Sequence, residues 1–311
     1  MLLNKEKNFI SAVIYVYNQE KTIGAFLDNL NRCLGNAFEK YEIICVDDAS
    51  SDHSIDEIKR YAGTHADCMI SILHMSFYQG LELSMNAGVD LAIGDFVYEF
   101  DSPSGVIPES LILDVYFHAL KGYDIVTAAP KEQNHKRSSL FYFVFNRVSG
   151  TQYMLRTELF RILSRRAINR VKSMSRVLPY RKAVYANCGL GVDVLLYDQK
   201  TVPPKADKKT RRSQRETAVD ALIMYTDLAY RCSMLFSLVM MFIVMATGIY
   251  AILIYCSGKP VAGWTTTMLF LSGGFLGLFF MLTVLIKYVS IILRLSFNRQ
   301  KYIVESIEKL K

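Results

Sequence analysis

The sequence predicts an α/β domain on a mostly parallel sheet, followed by two transmembrane helices. Three observations predict it. Apolar runs of strand length alternate with amphipathic segments through the first hundred residues, three of those runs end in acidic or amide side chains, and between Arg231 and Lys287 the only charged residue is Lys259. Apolar strands separated by helices of about 10 to 15 residues argue for repeated βαβ units. Such a sheet is covered on both faces, so its strands read as unbroken apolar runs.

Ile10 to Tyr17 is the first predicted strand. It has no A-x-A-like cleavage site and ends at Asn18-Gln19-Glu20, which argues for a buried strand over a signal peptide. Lys21 to Leu34 reads as an amphipathic helix. Glu42 to Val46 is the second strand, ending in Asp47-Asp48-Ala49-Ser50, and Ser54 to Ala62 a helix with Asp52 as a cap. Met69 to Met75 (strand), Leu81 to Ala92 (helix) and Phe96 to Phe100 (strand, ending at Asp101) complete the alternation.

Further along, Arg156 to Lys182 carries nine basic side chains against Glu158 alone. Read as a helix, it places Arg161 with Arg165 and Arg166 with Arg170 at i,i+4, forming ridges toward headgroups or phosphate. Ile162, Leu163, Ala167, Ile168 and Val171 supply the opposite side of an interfacial helix. The alternative is a solvated basic face over an ordinary core face.

Cys232 to Gly258 and Pro260 to Ile286 are uncharged runs of 27 residues each, longer than the roughly 20 needed to cross a bilayer core. A short turn around Lys259 joins them, with Tyr250, Tyr255 and Trp264 as interfacial aromatics. Gly273, Gly274 and Gly277 suit close helix approach, either within the hairpin or between copies of the chain. The expected layout is a cytoplasmic domain over 1–204, a basic juxtamembrane segment over 205–231, a hairpin over 232–286 and a basic tail over 287–311.

Charge follows the same division. Residues 1–155 hold 12 Lys/Arg against 20 Asp/Glu, while 205–215 hold six basic and one acidic, and 287–301 four basic and no acidic. Basic flanks on both sides of the hairpin place both ends in the cytoplasm, within reach of anionic lipids. The segregation excludes a simple cytosolic enzyme, a disordered chain and a nucleic-acid binder resting on the net charge of +7. The six cysteines form no CxxC pair or zinc-like cluster, so reduced structural thiols are expected.

Ligands of parallel α/β sheets bind beyond the carboxyl ends of the strands. Asn18 and Glu20, Asp47 and Asp48, and Asp101 converge there, and no GxGxxG or GxxxxGK[ST] loop is present to cradle phosphates. A nucleotide held by such residues has its base and ribose gripped by hydrogen bonds. Its diphosphate then needs a cation, either a divalent metal at Asp101 or basic side chains.

The stretch Val13 to Glu20 (VIYVYNQE), Asp47 to Ser50 (DDAS) with Asp52, Asn86 to Asp95 and Asp101 resembles the family-two glycosyltransferases with the GT-A fold. Gly258 to Trp264 (GKPVAGW), a second membrane helix, Lys287-Tyr288 and Asn298 to Val304 (NRQKYIV) resemble the polyprenyl-phosphate glycosyltransferases among them. The resemblance implies transfer of a sugar from a nucleotide-sugar to a polyprenyl phosphate such as undecaprenyl phosphate, on the cytoplasmic leaflet of a bacterial inner membrane. By position it puts Tyr17, Asn18 and Glu20 around base and ribose, Asp47 at the base, Asp48 among the nucleotide-sugar-binding residues, and Asp101 at a magnesium or manganese ion and the diphosphate. Arg161, Arg165 and Arg212 are expected near the acceptor phosphate. Relatives often assemble through their membrane helices, so a homo-oligomer is implied.

Departures from the family pattern are specific. Tyr15 stands where relatives carry Pro, and Pro103 replaces the second carboxylate of the Asp-x-Asp metal motif. Glu99, two residues before Asp101 on the same strand face, either substitutes as an ExD metal pair or is a tolerated polar residue at a strand end. Metal binding is then weaker than in relatives, or basic side chains replace part of its charge. Gln152 to Leu155 lacks the carboxylate that relatives place there, which favours a phosphate acceptor: with a second pKa near 6 it is already a dianionic nucleophile, whereas a hydroxyl needs a base. Two other readings are a glycosyltransferase with a glycan hydroxyl acceptor, and a nucleotide-sugar-binding pseudoenzyme or membrane assembly partner.

Overall fold

The computed structural model describes residues 5–65, 68–103, 107–131, 141–143, 145–147, 153–174, 180–198, 213, 216–218, 221, 228–257, 263–296 and 302–310. The chain divides into two compact units: residues 1–221 together with 298–311, and residues 222–297.

The larger unit begins with the expected alternation. β1 (Ile10–Val16), α1 (Ile23–Ala37), β2 (Tyr41–Asp47), α2 (Ser54–Thr64), β3 (Met69–Met75), α3 (Leu81–Leu91) and β4 (Phe96–Phe100) follow in turn. Then come α4 (Glu109–Leu120), β5 (Ile125–Pro130), β6 (Phe160–Ser164), α5 (Arg165–Met174), α6 (Arg181–Ala186) and β7 (Val192–Tyr197). The eight-stranded sheet runs β7-β5-β6-β4-β1-β2-β3-β8, where β8 is Val304–Lys309. Its centre, β4-β1-β2-β3, is parallel, and β5 pairs β7 in parallel. β6 runs antiparallel between β4 and β5, and β8 antiparallel beside β3.

All seven residues of β1 are buried, as a central parallel strand requires. On one face Ile14, Ile43 and Phe100 form a core with Leu27 of α1, Ile58 of α2 and Val115 of α4. On the other face α3 comes close: a Cβ on Gly88 would overlap Val13 and Val46. A Cβ on Gly94 would lie 2.6 Å from the Ser11 backbone nitrogen, so the turn into β4 is pinned by a glycine, with Asp95 accepting the Phe9 N–H at 2.9 Å.

Two regions differ from the sequence reading. The basic segment is not one helix: residues 160–164 form β6, so Arg161 and Arg165 are not ridge neighbours. Phe160 and Ile162 alternate with Arg161 and Leu163 in strand period, and the apolar pair joins the core. The segment 287–311, read as a basic tail, ends in β8, which pairs with β3 from Ser71↔Lys309 to Met75↔Val304.

The second unit is a helical hairpin of α7 (Leu228–Cys256) and α8 (Trp264–Ser296). Each contains a 26-residue stretch, Arg231–Cys256 and Trp264–Val289, with mean hydropathy 2.4 and 2.3, long and apolar enough to cross a membrane. Ser237 donates to the Phe279 carbonyl at 2.9 Å and lies 2.6 Å from the Thr283 hydroxyl. Tyr250 and Trp264 meet edge to face near the turn. Among the described residues nothing lies within 4 Å of a Cβ placed on Gly273, Gly274 or Gly277, so these glycines do not serve the packing of α8 on α7.

Candidate active site

Beyond the carboxyl ends of β1 and β2, two loops interlock through hydrogen bonds. Asn18 adopts φ 52°, a left-handed conformation that Asn tolerates better than most residues. Its side-chain oxygen accepts the Ser51 N–H at 2.8 Å, and its own N–H donates to the Ser50 hydroxyl at 3.1 Å. Gln19 N–H reaches Ser54 Oγ at 2.7 Å, Glu20 N–H reaches Asp52 at 3.0 Å, and Glu20 accepts the His53 N–H at 3.3 Å. Asp52 also accepts the Ser54 N–H at 3.0 Å just before α2, whose N-cap position is taken by His53 and not, as expected, by Asp52. Ala49 too has a positive φ, 56°, a strain of order 1–2 kcal/mol that the surrounding bonds must hold.

Asp47 and Asp48, adjacent in sequence, face different surroundings. Asp47 accepts the Ser50 N–H at 3.0 Å through Oδ1, and its Oδ2 lies 3.4 Å from His74 Nδ1. No lysine or arginine is paired with it among the described residues. Asp48 is fully buried and accepts from the Tyr15 hydroxyl at 2.8 Å, Gln79 N–H at 2.7 Å and Gly80 N–H at 2.8 Å. Burial raises its carboxyl above the ordinary value despite those bonds, and burial beside Asp48 pushes the Tyr15 phenol far up. Asp48, expected among the nucleotide-sugar-binding residues, is therefore closed off from solvent by donors of the protein itself. It ties the loop before α3 to the sheet, and Tyr15, which replaces the expected proline, supplies one of the ties. Tyr17 is buried with its ring centroid 4.7 Å from that of Tyr78.

At the end of β4 the arrangement changes. Arg161 lies directly across from Glu99 in the β4–β6 register. Its guanidinium donates to Glu99 Oε2 and Asp101 Oδ2, both at 2.8 Å, and to Glu158 at 3.0 Å. Arg181, at the start of α6, donates to the same Glu99 oxygen at 2.8 Å, to Asp101 Oδ1 at 2.7 Å and to Glu82 at 2.9 Å. Tyr185 donates to the remaining Glu99 oxygen at 2.8 Å, and its ring centroid lies 5.6 Å from the Arg161 guanidinium carbon. Lys182 stands 4.0 Å from Glu158. Both arginine side chains are 1% exposed and Glu99 0%, whereas Asp101 keeps 17%. Burial would raise the Asp101 carboxyl, but Arg161 and Arg181 outweigh it and hold the group well below the usual carboxylate range.

Arg161 is thus a buried partner of the strand-end carboxylates and does not face headgroups. Arg165 is turned inward too, its guanidinium donating to the Ala92 carbonyl at 3.0 Å and the Gly94 carbonyl at 2.9 Å. Arg212 lies outside the described residues. Glu99 and Asp101 do share a strand face, but every oxygen of the pair already accepts at least one hydrogen bond from arginine or tyrosine, and Pro103 offers no carboxylate. Among the described residues no group of three or more His, Cys, Asp or Glu side chains is placed to hold a metal ion. The donor set in this arrangement does not fit a divalent cation.

Arg181, Glu82 and Tyr185 are site residues that sequence reasoning did not single out. They lie 80, 19 and 84 positions from Asp101, and only the excess of basic residues over 156–182 hinted that buried carboxylates elsewhere needed partners.

Residues 11–171, just over half the chain, match the family model described as Glycosyl transferase family 2. An uncharacterized glycosyltransferase of Synechocystis sp. is 28% identical over 201 residues, 61% of each chain. An undecaprenyl-phosphate 4-deoxy-4-formamido-L-arabinose transferase of Serratia proteamaculans is 34% identical over 117 residues, 38% of this chain and 35% of that protein. The chain thus spans less than two thirds of the length of these curated relatives. Among solved structures, a mannosyltransferase of Pyrobaculum calidifontis in complex with GDP-Man and Mn2+ superposes with a TM-score of 0.52 over 94% of this chain and 89% of that one. At 15% identity that likeness speaks for the fold, a GT-A arrangement.

Proposed function

From the premise that this chain belongs to glycosyl transferase family 2 and is a glycosyltransferase, we propose that it moves a sugar from a nucleotide-sugar to a polyprenyl phosphate at the cytoplasmic face of a bacterial inner membrane. The observation that carries this reading is the convergence of Asn18, Glu20 and Asp47 beyond β1 and β2 in a chain that also holds two helices able to cross a bilayer. The curated relatives named as undecaprenyl-phosphate transferases support the acceptor class. Both neighbours of the hairpin in sequence, up to residue 221 and from 298, belong to the one larger unit, which agrees with both hairpin ends on the same side of the membrane.

In this mechanism Asp47 accepts N–H groups of the base, while Asn18 and Glu20 bind around base and ribose. A phosphate oxygen of the acceptor attacks the anomeric carbon as the bond to the nucleoside diphosphate breaks, which inverts that centre. The acceptor is a dianion near neutral pH, so the protein needs to position it and offset charge, not remove a proton. No step here runs through an ion on Asp101.

The test is product analysis. Purified full-length protein in lipid nanodiscs is offered a panel of nucleotide-sugars with undecaprenyl phosphate or with a free glycan. A glycolipid carrying the sugar on phosphate is the expected product. Transfer to the glycan alone would overturn the acceptor assignment.

A further inference from the structure

The C-terminal strand that follows the membrane hairpin reaches the carboxylate assigned to the base. Glu308 of β8 lies 3.4 Å from His74 Nε2, and His74 Nδ1 lies 3.4 Å from Asp47 Oδ2. Glu308 is anchored in turn by Lys59 of α2 at 2.9 Å. One residue pair before β8, Gln79 clasps Ile303 from both sides: its side-chain nitrogen donates to the Ile303 carbonyl at 2.6 Å, and its side-chain oxygen accepts the Ile303 N–H at 2.9 Å. The Gln79 backbone N–H is one of the donors to Asp48. Tyr302 donates to Asp90 of α3 at 2.5 Å. Residues 302–308 are therefore bonded to β3, to the loop that follows it, and to α2 and α3.

A plain edge strand needs only its ladder of backbone bonds. Here side chains extend the contact inward, along Lys59, Glu308, His74 and Asp47. An imidazole that meets a carboxylate at each nitrogen satisfies both only when both nitrogens donate. Asp47 is then held by a donor on each oxygen, Ser50 N–H on one and His74 on the other, leaving one lone pair on each for a ligand.

We propose that Glu308 and His74 are positioning residues of the nucleotide site, orienting Asp47 toward the base, so that the C-terminal strand completes the donor site. The proposal rests on the reading of Asp47 as a nucleotide ligand. Calorimetry on the full chain in nanodiscs, titrated with UDP, GDP, CDP and ADP, measures the affinity of wild type, Glu308→Gln, Asp47→Asn and the double variant. Glu305→Gln, exposed on the same strand, is the control. Glu308→Gln is expected to weaken the preferred nucleotide by about threefold to tenfold, the worth of one hydrogen bond, and to raise the donor KM equally with kcat within about twofold. In the Asp47→Asn background the same change is expected to cost nothing further, because its effect runs through Asp47. Equal losses in both backgrounds, or no loss in either, with wild type binding normally, would overturn the proposal and leave the nucleotide site standing. No binding of any of the four nucleotides by wild type would overturn both.

Discussion

Two acidic clusters stand at strand ends of one sheet and are used in opposite ways. Beyond β1 and β2, Asp47 is held by a backbone N–H and a histidine, with one lone pair on each oxygen to spare. Beyond β4, Glu99 and Asp101 share two buried arginines, which bring two positive charges against their two negative ones. A carboxylate at the end of a parallel strand is therefore not a ligand by position alone. What lies on the neighbouring strand decides it: β2 is flanked by β3, which brings His74, and β4 by β6, which brings Arg161 in direct register with Glu99. Under the proposed function the first cluster keeps its charge for a nucleotide, whereas the second is neutralised by arginines of the protein itself.

The sharpest way to break the comparison is to remove an arginine. Arg161→Met leaves Glu99 buried and short of a cation, which costs about 3–5 kcal/mol and lowers the thermal midpoint by at least about 6 °C. Thermal unfolding checks this; a midpoint unchanged within 2 °C, on the same scale of about 2–4 °C per kcal/mol, would mean the second cluster is not structural. On the other side, Asp47→Asn is expected to leave the midpoint nearly unchanged while weakening nucleotide binding at least about tenfold, because a hydrogen bond to a charged group is worth about 1.5–3 kcal/mol. Loss of stability without loss of binding would reverse the two roles.

Smaller effects sharpen the picture within the first cluster. Tyr15→Phe takes a hydrogen-bond donor from buried Asp48 and is expected to cost about 1–3 kcal/mol, with the preferred nucleotide bound within about threefold of wild type. Chemical denaturation and calorimetry report the two separately.

Titration distinguishes Asp48 from Asp101 by sign. The Asp101 carboxyl is depressed in the folded protein, so its contribution is present above the unfolded value near 3.9 and is lost only as pH falls below it, through the folded value. The Asp48 carboxyl is raised, so the folded form binds its proton more tightly and stability is lost as pH rises above about 3.9. Stability measured from pH 3 to 6, relative to Asp101→Asn and to Asp48→Asn, is expected to change in opposite directions. Parallel slopes would contradict the two environments.

How much was legible in the sequence follows from how far each contact reaches. β1 to β4 were readable to within a few residues because apolar period and the loop residues Asn18 and Asp47 are local signals. β6 was not, because the spacing of Arg161, Arg165 and Arg166 fits a helix ridge while the strand alternation of Phe160 and Ile162 spans only five residues. β8 was hidden for a different reason: Val-Glu-Ser-Ile-Glu-Lys is a charged edge strand, the kind that resists pairing with other chains, and its partner lies 229 to 238 residues away. Asp48 looked equivalent to Asp47 until Tyr15 and the loop at Gln79 were placed against it. The missing second aspartate at Pro103 was plain from the start. That two guanidiniums fill the space around Asp101 was not, since nothing near position 101 points to 161 or 181.

The proposed function is transfer of a sugar to a polyprenyl phosphate from a donor site in which arginines, and not a metal ion, neutralise Asp101. It is tested most directly by the rate of glycolipid formation from the preferred nucleotide-sugar and undecaprenyl phosphate in excess EDTA and in manganese. The account predicts a glycolipid in both conditions, at rates within about tenfold, a barrier difference of no more than about 1.4 kcal/mol. No product in EDTA with full recovery in manganese would contradict it.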